Sequence, residues 1–137
     1  MWIPWAVASA IFASATAILA KMGTSGIGPD MAVAIRTSVV MVLVWAIVLA
    51  RGAWRNNSWP HSAIGYLVAS GVATGLSWIC YFRAIHNGPV SAVASIDKMS
   101  VVFTIILAST LLGEGMNARI VVGGCLITLG AIIIAWK

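Results

Sequence analysis

Long apolar stretches joined by short polar connections make up most of the chain. Five stretches stand out, at residues 2–20, 31–50, 62–82, 90–112 and 120–136. Each is close to the roughly 20 residues that an α-helix needs to cross a bilayer. Helices are the only plausible spans, because isolated strands would leave backbone groups unpaired in lipid. The pattern predicts an all-α membrane protein, a five-transmembrane-helix bundle that occupies residues 1–137 as a single domain.

The composition excludes an ordinary soluble domain. Hydrophobic residues make up 61% of the chain and charged residues 8%, whereas a typical soluble domain has about 25% charged residues. The formal net charge is +5, but the basic residues lie mostly at the ends of the apolar stretches, where anionic lipid headgroups attract them. We therefore expect membrane lipids as partners, no nucleic-acid binding, and a multi-pass location in the cell (inner) membrane.

The cysteines and histidines give no sign of metal or redox chemistry. Cys80 and Cys125 fall inside apolar stretches, where we expect small hydrophobic residues rather than a disulfide. His61 and His86 lie in other segments, so the spacing fits no metal site. No two plausible catalytic side chains share a depth in the membrane. We therefore expect no metal, no cofactor and no enzymatic activity.

Charged residues inside the apolar stretches are the strongest indication of function. Asp97 and Lys98 are adjacent in the fourth stretch, roughly 11 Å from its nearer end at the rise of a helix. Arg36 lies roughly 8 Å into the second stretch. A charge in the bilayer costs about 2.5 to 3.5 kcal/mol on insertion scales, so it persists where it is paired or lines a polar cavity. With alternating topology, these three residues share one half of the bilayer with Lys21.

These charges have a structural and a functional interpretation. In the first, Asp97 pairs with Arg36 or Lys98 and only fastens helices together, or the two cations extend toward the interface. In the second, Asp97 titrates or exchanges partners as a substrate moves, while the cations steer polar or anionic groups. The candidate substrate or coupling-ion pathway then comprises Asp97, Lys98, Arg36, Ser95, Ser100, Thr104 and Trp78. The tryptophan in this set either packs the bundle or floors a binding cavity.

Small residues, turn residues and tryptophans predict contacts and helix ends. Helices approach closely where small residues face each other, and the candidate helix-packing positions are Gly71, Gly75, Gly123 and Gly124. Gly88 with Pro89 is predicted to fix the start of the fourth span, and Asn117 to cap the start of the fifth. Aromatic belts lie at membrane interfaces, and we predict interfacial anchors at Trp2, Trp5, Trp54, Trp59 and Trp136.

The connections give no strong orientation signal. If the face that holds the N-terminus is called side one, it displays Arg51, Arg55 and Arg119. The opposite face, side two, displays Lys21, Arg83 and Lys137. Orientation follows an excess of Lys and Arg in the cytoplasmic loops, so an even count directs insertion only weakly. A single orientation and insertion in two opposite orientations both remain open.

One ordered set of motifs resembles a known family. The segment GPVSAVAS at residues 88–95 is followed by an apolar run that ends LLGE at residues 111–114, and the last stretch contains Gly123, Gly124 and Gly130. This order resembles the repeat unit of the EamA family in the drug/metabolite transporter superfamily, and the likeness covers nearly the whole chain. The small multidrug exporters of that superfamily are less similar, because they have four spans and a carboxylate in the first span, whereas the first stretch of this sequence, residues 2–20, contains no carboxylate.

The resemblance implies a carrier of small metabolites. EamA members typically contain ten spans made of two five-helix repeats in opposite orientations, with the substrate bound between the repeats and released by alternating access. This sequence holds one repeat, which implies a second copy, either the same chain in a homodimer, of which an antiparallel one is one form, or a different five-span chain. The leading hypothesis is a secondary transporter of a small polar metabolite or lipid-linked headgroup. The alternative is a non-transporting membrane subunit whose intramembrane charges serve assembly with a partner.

Overall fold

The computed structural model describes residues 1–55 and 60–136, which contain α-helices and no strand. In chain order the helices are α1 (Ile3–Thr24), α2 (Pro29–Ala50), α3 (His61–Asn87), α4 (Val90–Asp97), α5 (Ser100–Leu111) and α6 (Ala118–Ala135). Helices α1, α2, α3 and α6, and α4 together with α5, are long and apolar enough to cross a membrane. The predicted all-α fold with five spans is confirmed.

Two helices continue well past the C-terminal ends of the apolar stretches that predicted them. Helix α1 continues past residue 20 to Thr24, and α3 continues past residue 82 to Asn87. Arg83, which we predicted in a connection, therefore lies in the last turns of α3, and Lys21 lies in the last turn of α1. Hydropathy does not mark these ends, because a helix continues through polar residues wherever its terminal groups find partners.

Local signals explain where three helices begin. Pro29 is the first residue of α2, where its missing N–H costs no intrahelical bond. Pro89 precedes α4 with an extended backbone at φ −70° and ψ 137°, so the predicted start of the fourth span is confirmed. Asn117 Oδ1 accepts a hydrogen bond from the Ile120 amide at 3.0 Å, which confirms the predicted N-cap of α6.

The second span ends on a glycine in the left-handed region. Gly52 has a φ of 63°. Its amide donates to the Leu49 carbonyl and the Ala53 amide donates to the Val48 carbonyl, both at 3.1 Å. This pair of bonds is a Schellman motif, in which the residue after the helix needs a positive φ that glycine adopts without strain.

The chain forms two compact units. The central unit comprises Leu19–His86, and the terminal unit comprises Met1–Ile18 with Asn87–Lys137. Helix α1 contributes its first turns to the terminal unit and its last turns to the central unit. Trp59 and Lys137, which we predicted at an interface and on side two, lie outside the described residues, so those two expectations remain predictions.

The central unit has a small buried cluster at one end of its three helices. Ala20, Val33 and Phe82 form the cluster, one from each of α1, α2 and α3, and the exposed fraction of Phe82 is 2%. Trp78 and Tyr81 pack against it. The last turns of α1 and α3 and the first turns of α2 meet here, so this packing positions the polar residues of the same turns.

In the terminal unit, α6 packs against α4 and α5. Gly124 is buried, and a Cβ at this position would lie 3.5 Å from Ile105 Cδ1. At Gly71, Gly75 and Gly123 no such neighbour lies within 4 Å. Among the glycines predicted at helix contacts, Gly124 therefore faces another helix of this chain, and the other three face open space.

Large apolar side chains face outward along the spans. The exposed fractions of Trp2, Trp5 and Trp136 are 75%, 79% and 80%. An apolar groove of about 480 Å³ lies between α5 and α6, and the hydroxyl of its polar residue, Thr128, donates to the Gly124 carbonyl at 3.0 Å. Exposed apolar surface of this extent is typical of a protein that contacts lipid or another apolar partner.

Candidate functional site

The fourth span is interrupted where its two charges lie. Helix α4 ends at Asp97 and α5 begins at Ser100, so the span predicted over residues 90–112 is made of two helices joined by two residues, and together they are long enough to cross a membrane. Lys98 and Met99 join the two helices with ψ angles of −13° and −18°. Their amides bond to carbonyls three residues earlier, at 3.1 and 2.9 Å, and the amides of the two residues after Ser100 do the same. This spacing of bonds is the tighter 3₁₀ geometry.

The interruption coincides with the ion pair rather than with a helix-breaking residue. Residues 90–112 contain no proline and no glycine. Lys98 Nζ lies 3.7 Å from Asp97 Oδ2, and the exposed fractions of the two side chains are 60% and 43%. A stretch of 3₁₀ geometry inside a helix often marks a functional hinge or a sequence under strain, and charged residues inside a span tend to mark substrate or ion pathways. This segment therefore has the features of a functional position.

The predicted hydroxyl residues near the ion pair donate within their own helices. Ser95 Oγ donates to the Ser91 carbonyl at 2.7 Å, and Thr104 Oγ1 donates to the Ser100 carbonyl at 2.9 Å. Each hydroxyl keeps its lone pairs after donating. Ser95 and Thr104 can therefore accept hydrogen bonds from a substrate or a hydrated ion, but their donors are already used.

In the central unit, two of the predicted pathway residues are in contact. Arg36 Cζ lies 4.1 Å from the centroid of the Trp78 ring and 5.6 Å from that of the Phe82 ring. Trp78 and Phe82 are four residues apart on α3, so one face of this helix presents both rings. A cation on an aromatic face gains about 0.5 to 2 kcal/mol. Trp78 packs on the buried cluster and contacts the guanidinium, and its role as the floor of a binding cavity stays a prediction.

The acidic residue of this unit is engaged by a different arginine. Arg83 Nε donates to Asp30 Oδ1 and Arg83 Nη2 donates to Asp30 Oδ2, both at 3.1 Å. This is the bidentate geometry that an arginine forms with a carboxylate. Asp30 is the sole acidic residue between positions 19 and 86 of the sequence. In the described part of the central unit, Arg36 therefore has no carboxylate partner.

Two further contacts connect α1 to α3. Lys21 Nζ donates to the Ile85 carbonyl at 2.7 Å and to the His86 carbonyl at 3.2 Å. His86 Nδ1 donates to the Thr24 carbonyl at 3.0 Å, and since a carbonyl only accepts, Nδ1 carries the proton. The last carbonyls of a helix lack intrahelical donors, and a positive charge there is favourable. These bonds fix the ends of two spans to each other.

Several residues of this polar cluster were missed by sequence reasoning. Arg83 was interpreted only as a topology signal, Lys21 was placed in the same half of the bilayer as the other charges without a partner, and Asp30, Thr24 and His86 were given no role. A signal for them exists: an acidic residue directly after Pro29 and basic residues near the ends of the first and third spans all fall on side two. Opposite charges on neighbouring helix ends at one membrane face indicate an ion pair.

Comparison with known proteins then identifies the family. Residues 1–136 match the family described as the EamA-like transporter family. The chain belongs to this family. A Sinorhizobium protein named "Uncharacterized transporter in cobO 3'region" is 42% identical over 135 residues, which cover 98% of the present chain and 96% of that protein. No solved structure matches the chain.

Membership of the EamA-like transporter family confirms the resemblance drawn from the GPVSAVAS segment and the motifs that follow it. Together with the five membrane-spanning helices, it makes this a multi-pass membrane protein of a transporter family. The family and the transporter-named relative point to a transporter rather than to an enzyme. The junction in the fourth span and Arg36 are two places in the described part of this EamA-like chain where charge lies within an apolar span.

Proposed function

We propose that this EamA-like chain is a secondary transporter of a small polar metabolite or a lipid-linked headgroup, located in the cell (inner) membrane. The observation that carries the proposal is the interruption of the fourth span at Asp97 and Lys98 in a member of a transporter family. The 3₁₀ geometry at this segment is less favourable than a continuous α-helix, and a charge in the membrane costs free energy. Both costs are explained if this segment lines a polar pathway during alternating access.

The same proposal includes a working unit of two chains. The sequence holds one five-helix repeat, and transport between two inverted repeats requires a second. The even distribution of basic residues between the two faces favours an antiparallel homodimer, because it directs insertion weakly. Lys98 and Asp97 have side chains that are 60% and 43% exposed, and a partner chain would cover such groups in the membrane.

A second candidate function rests on this same exposure. If the ion pair meets only the charges of a partner chain, the protein is a membrane subunit whose intramembrane charges serve assembly. In that case Lys98 and Asp97 contribute to the interface and take no part in transport. The two candidates differ in what happens when the carboxylate is neutralised without a change of shape.

The Asp97→Asn variant separates the two candidates. Proteoliposomes would be challenged with a panel of amino acids, sugar phosphates and organic cations, and transport currents recorded on a solid-supported membrane. We expect currents to fall by about tenfold or more, since a charge-assisted hydrogen bond contributes about 1.5 to 3 kcal/mol. The matched control is Glu114→Gln, which removes the same charge just after the fourth span. Wild-type currents in Asp97→Asn, together with weaker assembly in nanodiscs, would support the subunit instead.

The antiparallel unit has its own test. Single cysteines placed at each terminus, in a chain whose Cys80 and Cys125 are replaced by serine, would be labelled with a membrane-impermeant maleimide in intact cells. Dual insertion predicts that each terminus is labelled in about half of the molecules. Complete labelling at one terminus and none at the other shows one orientation and removes the antiparallel homodimer.

A further inference from the structure

The guanidinium of Arg36 lies over an aromatic ring, a contact that uses none of its N–H donors. Arg36 Cζ lies 4.1 Å from the centroid of the Trp78 ring, and a guanidinium over an aromatic face typically stacks on it with its own flat face. The five N–H donors of a guanidinium lie in its plane and point away from a ring that it stacks on. Trp78 is itself fixed, because it packs against the buried cluster of the central unit. The edge of Arg36 is therefore a preorganised set of donors.

Oxygen acceptors of the central unit are bound by two cations other than Arg36. Lys21 donates to the Ile85 and His86 carbonyls, and Arg83 donates to both oxygens of Asp30. Among the described residues of the central unit, the one carboxylate is therefore already engaged, and Arg36 has no carboxylate partner there. Leaving a charged donor without a partner away from water is costly. A group that supplies oxygen acceptors from outside the chain would remove this cost.

The position of Arg36 along its helix places it well inside the membrane. It lies seven residues after Pro29, which corresponds to about 10 Å of helix, and Trp78 lies nine residues before Asn87, or about 14 Å. The hydrocarbon core is about 30 Å thick. The neutralised pair of Asp30 and Arg83 is nearer the helix ends, so an anion that approaches from side two passes a pair with no net charge.

We propose that the edge of the Arg36 guanidinium, supported by Trp78, binds the carboxylate or phosphate group of the transported molecule. This inference rests on the proposed function and deepens it by giving the substrate class, a small anionic or zwitterionic metabolite. Carboxylate and phosphate oxygens accept two parallel hydrogen bonds from an arginine fork. A lipid phosphate has the same chemistry, but it lies at the interface rather than about 10 Å along the helix. An organic cation would be repelled.

The test measures anion binding at Trp78 and needs no knowledge of the substrate. The chain would be labelled with 5-fluorotryptophan, which gives a resonance for each of its seven tryptophans, and the Trp78 signal is assigned from Trp78→Phe. In dodecyl maltoside, which carries no phosphate, sodium acetate, inorganic phosphate and tetramethylammonium chloride would be titrated separately. A parallel titration with dioleoylphosphatidylglycerol supplies the lipid phosphate. We expect the Trp78 resonance to shift saturably with acetate or phosphate and to be unmoved by the quaternary ammonium.

Variants of two arginines on α2 decide whether the response belongs to this site. Arg36→Gln should weaken the apparent affinity about 10- to 100-fold, the loss expected for a charge-assisted bond. Arg36→Lys should recover only part of it, because an ammonium has no planar fork. The matched control Arg51→Gln removes the same charge from the other end of α2 and should titrate like the wild type. Circular dichroism of each variant confirms that the helices are retained.

Three results would overturn the inference. The first is a Trp78 resonance that does not move up to about 100 mM anion, a concentration far above the millimolar Kd that about 4 kcal/mol of binding gives. The second is an equal response in Arg36→Gln. The third is a response to the lipid alone. Failure here is distinct from failure of the proposed function. If proteoliposomes transport only a cation or a neutral molecule and the Trp78 resonance does not respond to anions, the proposed transport function is retained and the anion site at Arg36 is refuted.

Discussion

Replacing Lys21 by methionine should loosen the end of the central unit. The ammonium donates to the Ile85 carbonyl at 2.7 Å and to the His86 carbonyl at 3.2 Å, and so joins the last turn of α1 to the last turn of α3. Lys21→Met keeps an unbranched side chain that can cover the same apolar surface while it removes all three donors. The substitution therefore isolates the hydrogen bonds from the packing of the stem.

The expected loss follows from the geometry of the two bonds. A hydrogen bond from a charged donor contributes about 1.5 to 3 kcal/mol, and a cation at a helix C-terminus adds about 0.3 to 1 kcal/mol. In membranes the unfolded state also finds partners, so that measured interhelical hydrogen bonds average about 0.6 kcal/mol and reach about 1.7. The net loss in the free energy of unfolding should then be about 1 to 2 kcal/mol, or roughly a 5- to 30-fold fall in the ratio of folded to unfolded protein.

The assay is reversible unfolding in mixed micelles of dodecyl maltoside and dodecyl sulfate, followed by circular dichroism and tryptophan fluorescence. Lys21→Arg is the matched control, because it keeps the charge and can reach the same carbonyls, and it should retain most of the stability. An unchanged unfolding midpoint for Lys21→Met would refute the reasoning. It would mean that detergent or water replaces the lysine at these carbonyls with no loss of free energy.

Two further substitutions test the helix ends. Asn117→Ala removes the acceptor of the 3.0 Å hydrogen bond from the Ile120 amide and should cost about 1 kcal/mol of stability in the same unfolding assay. Asn117→Asp keeps an acceptor and should be tolerated. Equal stability of the two variants would contradict the role of Asn117 as a cap. Gly52→Ala places a side chain at a φ of 63° and should cost about 1 to 2 kcal/mol. Its control is Gly65→Ala in the interior of α3, where a new Cβ would meet open space. This control should be neutral or slightly stabilising. A larger loss of stability at Gly65 than at Gly52 would show that the backbone angle is not the cause.

The spans and the family could be predicted from the sequence because both depend on local pattern. Five apolar stretches of near-membrane length leave few alternatives to helices, and the cap at Asn117 depends on residues three positions apart. The ordered motifs from residue 88 to residue 130 were enough to indicate the EamA family, which the match over residues 1–136 confirms. These features need no knowledge of which helices are neighbours.

The candidate site could be predicted only as a set of residues, because its geometry depends on tertiary contacts. Arg36 and Trp78 are 42 positions apart, and nothing local shows that one stacks on the other. The interruption at Asp97 has no proline or glycine to announce it. Lys21 and Arg83 lie in helical turns that are too polar to be recognised as parts of a span by hydropathy. The two residues were therefore assigned to connections, and their contacts were not predicted. Position along a span was predictable, and the partner was not.

The odd number of crossings has a consequence for how such a chain can be duplicated. Five spans leave the first and last described residues on opposite faces of the membrane. If two copies of the coding sequence were joined head to tail, the second copy would begin on the face where the first had finished, and each of its helices would run opposite to its counterpart. In a tandem fusion of a five-span unit, the second half is therefore inverted relative to the first without any added membrane crossing. In a fusion of a unit with an even number of spans, the two halves are parallel unless a crossing is added.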